Sequence, residues 1–368
     1  MSKKNAIFIA ATGQNVGKST LCLGIIAGLK KRHKSVGFIK PIGQQHVQVD
    51  ANTIVDKDVV LFKNHFQLKA NWHDMSPVII PTGFTRDYLD EKISEKHLKE
   101  EIKKSFEKIS SENAFTVAEG TGHIGVGSII DLNNAKVAKR LGLDVVMIAS
   151  GGLGSSFDEL CLNIALAEQY GVKIRGVILN RVLESKREMI QEYFPKALKR
   201  WNIPLLGLIP FNDLLNTPAI EDFETLFNAP LISGKEYHYR HFQNPRLVAG
   251  SLESYQEEIK PNELIITPAS REDIINKTLE KHAEAKKKNG IDLEGGMILT
   301  GRQAPSGSMI KLIKAHDIPV LYAPICSYDA MKMITSFIAK IRTGDKVKIE
   351  RAISLVEENL NFDALTCR

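Results

Sequence analysis

Residues 6–20 constrain this chain more than any other stretch: Ala-Ile-Phe-Ile-Ala-Ala-Thr-Gly-Gln-Asn-Val-Gly-Lys-Ser-Thr. The apolar run Ile7-Phe8-Ile9 reads as a buried strand. A loop with Gly13 and Gly17 follows, and Lys18, Ser19 and Thr20 open an amphipathic helix over residues 18–31. Strand, glycine loop and helix start, in that order, make an anion cradle. Glycines let the backbone curl so that successive N–H groups face one anion, and the helix N-terminus adds about half a unit of positive charge. Lys18 is placed to reach the β/γ-phosphates and the Ser19 hydroxyl to ligate Mg²⁺. The reading is a phosphate-binding loop in which Thr12, Gly13, Gln14, Asn15, Val16, Gly17, Lys18, Ser19 and Thr20 contact a nucleotide. Thr12 stands where the strict pattern G-x-x-x-x-G-K-[ST] has its first glycine, and Gly13 beside it compensates in part.

Further apolar, β-branched runs alternate with helical segments. Candidate strands are 6–10, 35–40, 115–119, 144–149, 174–179 and 205–209, and continuous apolar strands between helices argue for a mainly parallel sheet covered on both faces. Over 91–112, Ile93, Leu98, Ile102, Phe106 and Ile109 recur among Lys and Glu, a buried stripe on a surface helix. A second series follows, with strands at 247–252, 263–267, 296–300 and 319–323 and helices at 271–288, 307–316 and 328–341. The fold class is therefore α/β: a P-loop domain over 1–222 and a smaller α/β domain over 223–345. Segment 223–246 reads as the link between them, and 346–368 as a C-terminal amphipathic helix and tail.

The composition, 43 % hydrophobic and 25 % charged over 368 residues, is that of a globular protein. The net charge of +6 tolerates an anionic ligand, but no Lys/Arg block with interleaved aromatics marks a nucleic-acid surface. The N-terminal Met-Ser-Lys-Lys-Asn runs straight into the first strand, without a signal peptide or a membrane-spanning apolar stretch, so a cytoplasmic protein is expected. Cys22, Cys161, Cys326 and Cys367 are far apart and read as reduced thiols, and the ten histidines lack metal-ligand spacing.

In open α/β sheets, ligands gather at the C-terminal edge of the strands. Lys40 ends a strand in Phe-Ile-Lys-Pro-Ile-Gly-Gln, and Pro41 keeps it out of helical geometry, so its ammonium is a candidate to meet phosphate near Lys18. Glu119 ends another, before Gly-Thr-Gly-His-Ile-Gly, where a carboxylate suits a Mg²⁺ ligand or a water-orienting group. Asn180 ends a third, in Ile-Leu-Asn-Arg-Val, where an amide suits the edge of a purine. Of Asp50, Asp56 and Asp58, Asp58 is the choice for a further metal ligand, and His123 is a weaker candidate for ligand contact. The expected catalytic set is Lys18, Lys40 and Glu119, and the expected metal set Ser19, Asp58 and Glu119.

With these residues assembled, the first domain resembles dethiobiotin synthetase, in the P-loop group that also holds the MinD and nitrogenase-iron-protein ATPases. The signature lysine of the latter two falls where Gly13 stands, so their trans-acting lysine is not implied. Ala11–Ser19, Lys40-Pro41-Ile42 and Glu119-Gly120-Thr121-Gly122-His123 match the synthetase loop, its K-P-V segment and its E-G-A-G-G turn. The resemblance places Asn180 on the adenine-reading Asn and Asp58 on a metal-binding Asp. Gln14, Asn15 and Gln44 depart from the pattern at positions that serve the synthetase substrate.

A resemblance over nearly the whole chain is to the N-terminal region of long bacterial phosphotransacetylases and their stand-alone relatives, in which a dethiobiotin-synthetase-like domain precedes a DRTGG domain. It is carried by Lys-Pro-Ile-Gly-Gln at 40–44, by residues 76–90, by Leu-Gly-Leu-Ile-Pro-Phe-Asn at 206–212 and by Ile-Ile-Thr-Pro-Ala-Ser-Arg-Glu-Asp at 265–273. The DRTGG motif itself is degenerate, as Ser270-Arg271-Glu272-Asp273 and then Leu299-Thr300-Gly301-Arg302. The acetyl-transferring domain would need a large further segment, so that activity is not expected of these residues.

The resemblance implies an ATP- and Mg²⁺-binding protein, regulatory or accessory in acetyl-phosphate and acetyl-CoA metabolism. The competing reading is an ATP-dependent ligase that activates a carboxylate or carbamate, and an inert scaffold is the third. ATP is expected over GTP because Asn180-Arg181-Val182 lacks the Asp of N-K-x-D. The expected partners are a nucleotide, a small anionic metabolite at Thr267, Ser270, Arg271, Thr300, Gly301 and Arg302 of the second domain, and further copies of the chain in a homo-oligomer. Neither nucleic acid nor a membrane is expected.

Overall fold

A computed structural model describes residues 5–290 and 292–367, so Met-Ser-Lys-Lys at the start, Ile291 and Arg368 lie outside the described residues. Contacts divide the chain into one unit of residues 1–212 with 341–368 and another of residues 213–340. These dividing points differ from 222/223 and 345/346, the boundaries drawn from sequence. Among the described residues no helix is long and apolar enough to cross a membrane.

The first unit has strands β1 (Ala6–Ala11), β2 (Val36–Ile39), β3 (Ile42–Gly43), β4 (His46–Gln48), β5 (Ile54–Asp56), β6 (Val78–Ile79), β7 (Phe115–Glu119), β8 (Val145–Ser150), β9 (Ile174–Val182) and β10 (Leu205–Pro210). Six of them form one parallel sheet in the order β10-β9-β8-β1-β7-β2. Every residue of β1 is buried, which is why its sequence shows a continuous apolar run rather than alternation. Two small pairs, β3 with β6 and β4 with β5, lie outside this sheet. The helix expected over 91–112 starts at Glu95, because Ser94 caps it by accepting a hydrogen bond from the His97 amide at 3.3 Å. Its apolar stripe, Leu98, Ile102, Phe106 and Ile109, is buried as the spacing requires.

The C-terminal helix Lys346–Asn359 belongs to this same unit, not to a separate tail. It packs along the helix Lys18–Arg32 that follows the glycine loop. Gly24 and Gly28 of that helix make the close approach possible: a Cβ on Gly24 would overlap Val356, and one on Gly28 the ring of Phe362. The chain then pairs briefly with β10, where Leu360 bridges Gly207 and the Asn361 amide donates to Leu206 O at 2.9 Å, covering that sheet edge.

The second unit has β11 (Leu231–Ser233), β12 (Asn244–Leu247), β13 (Glu263–Pro268), β14 (Gly296–Thr300) and β15 (Val320–Ala323). They form a separate sheet in the order β11-β15-β14-β13-β12, parallel except for β11. The two-residue period of the strands divides its core. Ile265, Met297, Leu299 and Val320 face one layer with Ile274, Leu279 and Ile313, whereas Leu264, Ile266, Ile298 and Leu321 face the other with Ile220, Phe223 and Ile334. Segment 223–246 is therefore no link: Phe223, Leu231 and Phe242 are core residues of this unit. The strand expected at 247–252 lies earlier, at 244–247. Pro245 is tolerated there because β12 is an edge strand, and Ser251 starts a helix by accepting from the Ser254 amide.

Candidate functional site

The glycine loop leaves β1 at the centre of the first sheet. Its Thr12 amide donates to Ile148 O of β8 at 2.9 Å, and Asn15 and Gly17 take the left-handed backbone that turns the chain into the helix. Gly17 is obligatory on a second count, since a Cβ there would overlap the Asn180 amide. Thr12, Val16 and Lys18 are buried, Gly13 and Thr20 partly so, and Gln14 and Asn15 are exposed. The Thr12 hydroxyl is buried without a hydrogen-bond partner.

Three strand ends bring the charged residues together. Register places Ile9 of β1 beside Glu119 of β7, which carries the acid to the foot of the loop. The Ser19 hydroxyl donates to Glu119 Oε1 at 2.9 Å, and the Lys18 ammonium donates to Gly122 O at 2.5 Å. At the end of β2 the Lys40 ammonium meets Asp58, Asp56 Oδ1 at 3.0 Å and Glu119 Oε1 at 3.7 Å. Asp56 is fixed by the amides of Gln44, Gln45 and Asp58, which donate to its carboxylate.

Burial sets the electrostatics. It pushes the Glu119 carboxyl up, to about 7, against the pull of Lys40 and with the repulsion of Asp58. Burial alone would lower Lys40, but Asp58, Glu119 and Asp56 together hold its ammonium above the ordinary lysine value. Lys18 falls below that value, chiefly through burial.

Asn180 places its amide under the loop: its Nδ2 donates to Val16 O at 2.7 Å. One N–H of the amide is thus committed to the backbone. Asp50 is exposed and hydrogen-bonded within its own turn, away from the charged cluster. His123 is exposed, and its Nδ1 accepts from the Gly125 amide at 3.1 Å.

Two asparagines do work that no motif announced. Asn134 donates to Thr121 O and His123 O, both at 2.7 Å, and accepts from the Thr121 amide, fixing the glycine-rich turn after Glu119. Asn163 donates to Thr12 O at 3.2 Å and accepts from the Ile124 amide at 3.4 Å, tying the glycine loop to that turn. The only visible signal is an Asn at the first helical position for Asn134 and one in a helix interior for Asn163.

The oxygens of Ser19, Asp58 and Glu119 are hard donors, the type Mg²⁺ takes. Glu119 Oε2 is buried without a hydrogen-bond partner, as a carboxylate oxygen kept for a cation would be. Among the described residues no three His, Cys, Asp or Glu side chains alone form a metal-binding group.

In the second unit Thr267 and Thr300 are buried at the ends of β13 and β14, and Thr300 shares a hydrogen bond with Ser327 at 2.6 Å. Arg271 spends its guanidinium on Asp273, at 2.9 and 2.8 Å, and on Gly250 O at 3.1 Å. Arg302 and Ser270 are exposed, and Gly301 has the left-handed backbone. A cavity of about 540 Å³ lies at the opposite ends of these strands, between Tyr237, Arg240, Asn262 and Asp292. Two of its polar side chains are paired nearby, Arg240 with Gly295 O and Asp292, and Asn262 with the Gln243 amide and His241 O.

Comparison with known proteins follows these two units. The phosphate acetyltransferase of Pseudomonas aeruginosa is 27 % identical over 99 % of this chain and 52 % of its own length. That of Nitratidesulfovibrio vulgaris is 24 % identical, again over 99 % of this chain and 51 % of its own. The chain thus spans about half the length of these curated relatives. The ATP-dependent dethiobiotin synthetase BioD of Methanocaldococcus jannaschii is 27 % identical over 60 % of this chain and 97 % of its own. Among solved structures, the MinC:MinD cell division complex of Aquifex aeolicus aligns with 57 % of this chain and 83 % of its own, at 18 % identity and a TM-score of 0.36. The family model for an AAA domain, AAA_26, matches residues 5–219, and that for the DRTGG domain matches residues 224–337. With more than half its length matched by the first of these models, the chain belongs to the AAA_26 family of AAA domains and carries a DRTGG domain behind it.

Proposed function

We propose that the first unit binds ATP with Mg²⁺ and that the protein is regulatory or accessory in acetyl-phosphate and acetyl-CoA metabolism. The observation that carries the nucleotide reading is the junction of Lys18, Ser19 and Glu119 under the glycine loop. In this reading the loop amides and Lys18 bind the phosphates, Asn180 reads the base, and Ser19, Glu119 and Asp58 hold the metal. Bound Mg²⁺ would neutralise phosphate charge. The metabolic assignment is supported by full-length similarity to half of the phosphate acetyltransferases. In the second unit, Arg302 with Gly301 and the Thr300–Ser327 pair is the proposed contact for a small anion.

ATP–Mg²⁺ should stabilise the fold, by roughly 2.7 kcal/mol at a concentration ~100 times Kd. Lys18→Ala should remove most of this shift while leaving the protein folded. A wild-type melting temperature unchanged across millimolar ATP–Mg²⁺ would sink the reading.

The alternative is an ATP-dependent ligase acting on a carboxylate or carbamate. It is favoured by the buried Lys40 cluster, which is more charge than nucleotide capture alone requires. Diaminopelargonate and bicarbonate should nevertheless leave ATP turnover unchanged, since Gln14, Asn15 and Gln44 hold the substrate-contact positions. Dethiobiotin among the products would reverse this choice.

A further inference from the structure

The Lys40 ammonium is enclosed by three acids that are not equivalent. Asp56 is built in: it caps the helix Lys57–Phe66 and accepts from the amides of Gln44 and Gln45 besides meeting Lys40. Glu119 gives one oxygen to Ser19 and more loosely to Lys40, its other oxygen is buried without such a partner, and the buried Cys22 thiol lies against the carboxyl. Asp58 is partly open to solvent and pairs with Lys40. Lys40 itself is 6 % exposed. An ammonium is buried this deeply only when carboxylates compensate its lost hydration.

Asp58 and Glu119 are also the two carboxylates of the metal set, so one pair of acids faces two claims. An ammonium and a divalent ion sharing them would repel each other strongly at such range in a dry site. We propose that Lys40 is an internal counter-cation that holds Asp58 and Glu119 in the absence of metal and must give them up when metal arrives with the nucleotide. Asp56, which stays in place through its backbone hydrogen bonds, retains the lysine. Free Mg²⁺ is then excluded, because displacing Lys40 costs its ion pairs. Metal that arrives on triphosphate is accepted, because the phosphates bring negative charge for both cations. The residue is thus a positioning lysine whose charge makes metal occupancy conditional on nucleotide. This inference rests on the Mg²⁺–nucleotide reading above.

The test uses metal alone on the full chain, without nucleotide. Mn²⁺ binding is followed by electron paramagnetic resonance in wild type, Lys40→Gln and Lys40→Arg. Lys40→Gln should bind Mn²⁺ about tenfold tighter than wild type or better, a change of about 1.4 kcal/mol. Lys40→Arg, which keeps the charge, should resemble wild type. Equal Mn²⁺ affinity in wild type and Lys40→Gln would overturn the proposal. Should Lys40→Gln not fold, the wild type answers by NMR of ¹⁵N-labelled lysine side chains. The buried Lys40 signal should move on adding a nonhydrolysable ATP analogue with Mg²⁺, and stay in place with the analogue alone. A signal unmoved by the metal complex, or moved equally by both, would overturn it. Failure of nucleotide binding itself is read separately, by the thermal shift with ATP–Mg²⁺, which does not depend on the Mn²⁺ titration.

Discussion

The Ser19 hydroxyl donates to Glu119 Oε1 at 2.9 Å across one hundred residues of sequence, joining the first turn of the loop helix to the end of β7. Both oxygens of this contact are hard donors of the type a divalent cation takes, and burial pushes the Glu119 carboxyl up, to about 7. In the proposed metal site a cation would take the ionised form, so its binding would release a proton wherever the carboxyl still carries one.

Mg²⁺-dependent nucleotide binding should therefore strengthen as pH rises from 6 to 8, by up to about tenfold for one proton released. Glu119→Gln keeps the shape but cannot ionise. It should flatten this profile and weaken binding with metal more than binding without it. Calorimetric titrations at three pH values check both effects, and equal losses with and without metal would make Glu119 structural. The same shift has a stability consequence: an acid whose folded value exceeds its unfolded one costs the apo fold stability as pH climbs from about 4.5 to 7.

Gly28→Ala tests why the loop helix carries glycine in its interior. Helix propensity alone favours Ala by about 1 kcal/mol. The added methyl, however, would overlap the ring of Phe362, and overpacking costs about 1–3 kcal/mol. A net loss of stability is expected in urea unfolding. Gly307→Ala, at a helix start with open space around its Cβ, should be neutral or stabilising. A stabilised Gly28→Ala would show that Phe362, just past the C-terminal helix, does not pack against Gly28 as described.

Where local pattern carries the information, the structure was legible in sequence. The glycine loop, Lys18, Ser19 and Glu119 stand at a strand-to-helix turn and at a strand end, where residue type and backbone geometry are tied together. The parallel sheet followed from unbroken apolar runs such as Ile7-Phe8-Ile9. Contacts made by ordinary residues over long separations left no such mark. Asn163 reaches Thr12 O from 151 residues away, and nothing in its own helix distinguishes it from a solvated Asn. The return of the C-terminal helix to the first unit was hidden for the same reason: its apolar face fits any apolar surface, and only Gly24 and Gly28 hint at a close neighbour. The strand end at Lys40 is visible in sequence, but the three acids that enclose it are not, because they come from separate elements.

Asn180→Ala should weaken the loop and the base contact together. Its Nδ2 holds Val16 O at 2.7 Å, and an unsatisfied buried carbonyl costs about 1–3 kcal/mol. ATP affinity should fall, and any preference for ATP over GTP should narrow, as read by competition binding. A variant that loses stability yet keeps its full base preference would leave Asn180 a loop clamp alone.

His282 gives the second unit a separate pH response. The imidazole is buried against Gly295, with Asp292 and Arg240 as its charged neighbours, and burial lowers its value to about 4. A histidine depressed on folding stays neutral in the native state and takes up its proton on unfolding. Its contribution is full above the unfolded value near 6.5 and is lost as pH falls toward 4. Over that window the loss should be roughly 2–3 kcal/mol, given about 1.4 kcal/mol per pH unit. Hydrogen exchange of the β14 amides should show this in wild type between pH 7 and pH 4.5, after correction for intrinsic exchange. His282→Gln lacks the titrating group, so its loss over the same range should be smaller. Carboxylates that titrate in both proteins cancel in the comparison. Parallel losses in wild type and variant would show that the imidazole is not the proton acceptor.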